Sequence, residues 1–153
     1  MSAVRTRASH EGCSVRFRTF LRALAEEIDS AAGPEGRDAL LRKIGHRMAR
    51  LVPLPSVASM EALQMEINER LGELGWGNAR LDLNEAEHCL VITHMEMPHL
   101  GAAGDPPGTW LSAVLQGLYE AWIAAQPGGD PALVAQRKTT DGPDVLMLQL
   151  SRT

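Results

Sequence analysis

Cysteine is nearly absent from this 153-residue chain: Cys13 and Cys89 are the whole supply. Two thiols set no disulfide framework, which excludes a small secreted domain held by staples. Aromatics are scarce as well, with three Trp, two Phe and one Tyr. A tight carbohydrate binder exposes a row of stacking rings. Here Phe17, Phe20, Trp76, Trp110, Tyr119 and Trp122 fall on apolar helix faces or at a corner, so no ring is expected to be left over. Contact with sugar would then be polar and weak. No run approaches the roughly 18 apolar residues of a membrane span. The first arginines have no apolar stretch behind them, so no secretory signal is expected. A reduced, cytoplasmic protein is the expectation.

What is present is 44% hydrophobic residues, enough for an ordinary core in one domain. The net charge of −4 is mild, but it is unevenly spread. Arg5, Arg7, Arg16, Arg18 and Arg22 meet only Glu11 among the first 25 residues, and the remainder is acidic. Residues 1–14 read as a basic flexible leader and 15–153 as a single domain. The leader lacks aromatic interleaving, and no nucleic-acid-binding fold follows it. No nucleic acid is expected as a partner.

Three helices are expected first. Phe17, Phe20, Leu21, Leu24 and Ile28 fall at helical spacing, with Ser14 as a cap. Gly33-Pro34 breaks the chain, and Leu40, Leu41, Ile44, Met48 and Leu51 form a second stripe. Ser59 caps a third helix, which Gly75 stops. The period then changes to two. Residues 79–84 alternate as a half-buried strand, and 89–97 is apolar on both faces, so it is expected to be central. Residues 101–122, GAAGDPPGTWLSAVLQGLYEAW, are a glycine- and proline-rich loop opening a helix that is almost wholly apolar. Its polar positions are Ser112, Gln116 and Glu120, a narrow wet stripe spaced by four. Such a helix must be covered on most sides, and a partner chain is expected to help. Gly117, in the middle of that helix, reads as a place where another backbone comes close. Residues 133–139 and 145–150 close the chain as a hairpin. Helices and hairpins that do not alternate give α+β: three N-terminal helices, an antiparallel hairpin, a long apolar helix and a C-terminal antiparallel hairpin.

No chemistry converges in this order. His88, Cys89, His94 and His99 match no zinc spacing, and on a strand Cys89 and His94 point to opposite faces. Glu26, Glu27 and Asp29 do not meet on a helix. Residues 101–104 lack the lysine of a phosphate loop. No catalytic residue, metal or cofactor is expected.

Three phrases, FLRALAEEIDSAAGPEGRDALL, LQMEINERLGELGWGNARLDL and GAAGDPPGTWLSAVLQGLYEAW, resemble the cellulose synthase operon protein D family in consistent order over about residues 17–128. The resemblance implies a non-catalytic accessory subunit of bacterial cellulose biosynthesis, a cyclic octamer built as a tetramer of dimers. It implies partnership with the cellulose synthase complex and other cellulose secretion subunits. It also implies a scaffold or conduit that aligns nascent β-1,4-glucan for export and crystallisation. It allows the periplasm as well as the cytoplasm. On this reading Arg16, Arg18 and Glu26 are candidates to line a glucan path, and Trp110, Leu111, Leu115, Leu118, Tyr119 and Trp122 are candidates for the oligomer interface. A different reading comes from the order of elements, which also resembles the V4R and Bet3-like group of dimeric ligand-binding modules. In that case Met65, Met95, Met97 and Met147 would line an apolar pocket.

Overall fold

The computed structural model describes residues 2–96, 109–138 and 145–152. Side chains are described from Phe17 onward, apart from those of Arg18, Thr109 and Trp110. The order is α1 (Ser2–Leu51), α2 (Met60–Leu74), β1 (Asn78–Asn84), β2 (Cys89–Met95), α3 (Thr109–Ala124), β3 (Leu133–Lys138) and β4 (Val145–Arg152). The fold is α+β. Helix α1 combines the first two expected helices. Gly33 interrupts it with φ 70° and ψ 175°, and Pro34 begins the second segment. Arg37 bridges the break by donating to Asp29 at 2.9 Å. Helix α1 already begins at Ser2, within the stretch read as a leader, so Ser14 lies inside the helix and not at its start.

Helix α2 has the expected ends. Ser59 Oγ accepts the N–H of Ala62 at 3.1 Å. Gly75 takes a left-handed φ of 72°, and the N–H groups of Gly75 and Trp76 turn back to the carbonyls of Gly72 and Leu71. Gly77 then lets the chain enter β1 against β2, because a Cβ there would lie 2.2 Å from the Met95 carbonyl oxygen.

The four strands form one antiparallel sheet in the order β1-β2-β4-β3. β2 is central, as its two apolar faces predict. Leu81, Ile92 and Leu148 lie side by side across three strands. They meet Ile67 and Leu71 of α2 and Leu115, Leu118 and Trp122 of α3 in one core. Where α1 crosses α3, Ala25 and Leu41 pack on Ala113 and Val114, so both segments of α1 touch the same stretch of α3.

Candidate functional site

Among the described residues, two surfaces and one buried network could carry function. The network comes from a need of the sheet. An edge strand presents unpaired backbone N–H and C=O groups, which invite further strands unless something covers them. On β3 the Leu133 N–H is taken by the Asp130 carbonyl at 3.2 Å. The Ala135 N–H donates to Glu120 Oε2 at 2.9 Å. The Ala135 carbonyl accepts from Gln116 Nε2 at 2.7 Å and from Arg42 at 2.9 Å. At the other edge, Asn68 bonds both backbone groups of Ala79, at 2.6 and 2.9 Å, and Gln64 accepts the Leu81 N–H at 2.9 Å. The sheet is therefore sealed at the middle of both edges by helix side chains.

This overturns the reading of Ser112, Gln116 and Glu120 as a wet stripe: all three are buried. Their polar groups serve the interior. Glu120 also lies 3.1 Å from His46 Nε2 and 3.5 Å from an Arg42 nitrogen, so its buried charge is compensated from two sides. Beside this network α1, α3 and the approach to β3 enclose an open cleft of about 440 Å³. Arg42, His46 and Arg50 form one wall, Glu120 the base, and Pro131 and Val134 face them.

A second polar contact sits in the core. His94 is fully buried. Its Nε2–H donates to the Trp76 carbonyl at 2.8 Å, which leaves Nδ1 to accept the Tyr119 hydroxyl at 2.5 Å. Burial lowers its pKa to about 4, so the ring is neutral near pH 7. Burial likewise pushes the Tyr119 phenol up. The pair acts as a structural clasp between β2, α3 and the Trp76 corner. Cys89 is buried and makes no hydrogen bond to a histidine among the described residues. Nor do three or more His, Cys, Asp or Glu converge on a metal-sized site among them.

Five of the six residues read as an oligomer interface have described side chains. Leu111, Leu115, Leu118, Tyr119 and Trp122 are buried by the chain itself. Trp122 Nε1–H donates to the Val52 carbonyl at 2.9 Å, capping the end of α1. The Trp110 side chain lies outside the described residues. The excess apolar surface of α3 is met by α1 and the sheet from within. Among the glucan-lining candidates, Glu26 is exposed and pairs with Arg22 at 3.3 Å, while the side chains of Arg16 and Arg18 lie outside the described ones.

The surface that sequence reasoning missed is on α1. Phe17 and Phe20 are 55% and 62% exposed, and Leu24 at the same helical spacing is exposed too. Two rings are thus left over after all. On the second segment Leu40, Ile44 and Leu51 repeat the pattern. The spacing of three and four is plain in the sequence, but it reads there as covered by the chain's own core. Among the described methionines of the ligand-pocket reading, Met65 stands apart from Met95 and Met147. Met65 is exposed on α2, Met95 and Met147 lie on the face of the sheet opposite the Ile92 side, and Met97 is outside the described residues.

The class is thus an α+β domain whose sheet is capped at the middle of both edges and whose first helix exposes an apolar stripe. The chain matches, across residues 3–151, the family described as the D subunit of cellulose synthase. It belongs to that family. It is 46% identical to cellulose synthase operon protein D of Komagataeibacter xylinus over 112 residues, 73% of this chain and 72% of that one. The same figures hold for the protein of that name from Komagataeibacter sucrofermentans.

Proposed function

We propose that this protein is a non-catalytic accessory subunit of bacterial cellulose biosynthesis, working as an oligomeric scaffold or conduit beside the cellulose synthase complex. Its family membership supports the pathway. The observation that carries the scaffold reading is the exposed Phe17, Phe20 and Leu24 stripe of α1. Apolar side chains at heptad-like spacing are covered when a second helix packs on them. The sealed sheet edges leave helical surfaces as the place for such contacts. A closed octamer, a tetramer of dimers, would repeat this contact around a ring and surround a passage for nascent β-1,4-glucan. The passage would release its cargo readily, because polar groups such as Glu26 hold sugar weakly. The compartment we assign is the cytoplasm, and fractionation of cells producing the full chain tests it.

Absolute mass in solution tests the scaffold. Light scattering on the eluting peak should give one species near eight chains. A monomer at working concentration would remove both ring and conduit. A chemical role is tested separately with Cys89→Ala. Cellulose output should persist, and its loss from well-folded protein would return an enzyme reading.

A further inference from the structure

The cleft beside Glu120 has no part in the scaffold reading. Arg42, His46 and Arg50 follow one another at steps of four along α1, so they share a face about 6 Å apart. The acid at their base is fully occupied. Glu120 receives the Ala135 N–H on one oxygen and His46 on the other, with an Arg42 nitrogen 3.5 Å away. Asp130, next to the Pro131 wall, is tied to Arg152. Among the described residues that line the cleft Glu120 is the one carboxylate, and its pairing with Arg42 and His46 offsets its repulsion of an incoming anion. Arg50 stands at the rim and makes no ion pair among the described residues. The second ring nitrogen of His46 is likewise uncommitted among them. Carbonyls at the C-terminus of α1 oppose an anion nearby. That effect is reduced because the Val52 carbonyl is bonded by Trp122 and the Met48 carbonyl by the Val52 N–H.

The facing wall is uncharged. Ala121, Ala124, Pro131 and Val134 offer small apolar surfaces without a ring for stacking. A volume of about 440 Å³ falls in the range of small-molecule sites. We propose that this cleft binds a small molecule bearing an oxyanion, a phosphate or a carboxylate, held by Arg50 and by the Nδ1–H that His46 gains when its ring carries both protons, with its uncharged body against Pro131 and Val134. Arg42 holds Glu120 and the Ala135 carbonyl and so acts as a positioning residue.

The test is calorimetric titration of the full chain with inorganic phosphate and, separately, with acetate, at constant ionic strength. The resonances of the His46 ring are followed in parallel. Saturable binding of either anion that shifts His46 supports the site, and the tighter anion identifies the ligand class. Arg50→Ala should weaken that binding at least about tenfold, since one charge-assisted hydrogen bond is lost. Arg80→Ala, on the far face of the sheet, should leave it unchanged. No saturable binding of either anion overturns the proposal, and so does binding that Arg50→Ala leaves intact. The scaffold reading does not depend on this result, because mass in solution is measured without either anion.

Discussion

Gly45 of α1 and Gly117 of α3 sit against each other. A Cβ on Gly45 would lie 2.1 Å from the Val114 carbonyl oxygen, and one on Gly117 would lie 2.0 Å from that of Arg42. The two helices therefore touch backbone to backbone, and neither position accepts a methyl group unless the helices separate. That approach places Arg42 and His46 within reach of Glu120.

Gly117→Ala should lower stability by at least about 2 kcal/mol, the usual cost of overpacking a tight contact. Gly72→Ala is the control. Its Cβ would meet nothing within 4 Å, and alanine is the better helix former by up to about 1 kcal/mol. Urea denaturation of the two variants should move in opposite directions.

Introducing a negative charge at two apolar positions should have different consequences. Phe20 is exposed in the single chain, so Phe20→Asp should leave the circular dichroism spectrum intact and reduce the mass seen by light scattering. Trp122 is buried and bonded to Val52, so Trp122→Asp should unfold the chain outright by burying an unpaired carboxylate. Unchanged mass in folded Phe20→Asp would remove the α1 stripe from the assembly.

His94 should make stability depend on pH. Its native pKa is about 4 against an ordinary 6.5, so between those values the unfolded chain binds a proton that the folded chain refuses. Stability then falls as pH drops through this window, by on the order of 3 kcal/mol when pH 4 is reached. Denaturation of His94→Gln at matched chain concentration should show a smaller loss from pH 7 to pH 4.5. An equal loss in both proteins would assign the effect to other groups.

Glu120→Ala should cost on the order of 3 kcal/mol, because it strands Arg42 and the Ala135 N–H in a half-buried site. It also reopens the β3 edge, so the variant should aggregate faster than wild type when both are held below their melting temperatures.

Much of the architecture could be read locally. The Ser59 and Gly75 caps, the Gly33-Pro34 break and the two hairpins each depend on a few adjacent residues, and they stand where spacing put them. Gly117 was also legible, since a glycine inside a helix needs a reason and a crossing backbone supplies one. The site was not. Ser112, Gln116 and Glu120 look solvated in one dimension, because nothing in their spacing shows that β3, many residues away, lacks backbone partners. For the same reason the spacing did not show that Phe20 is exposed and that Trp122 is buried by the chain itself. Both lie on apolar stripes, and only the path of α1 decides which stripe the chain covers itself.

The sealed edges make this sheet a finite object. At Ala79 and Ala135 its hydrogen bonding stops in side chains that have no further neighbour to recruit. At those positions contact with another molecule depends on residue identity and not on the repeating chemistry that all backbones share. Five side chains, Gln64, Asn68, Gln116, Glu120 and Arg42, close those positions to a further strand.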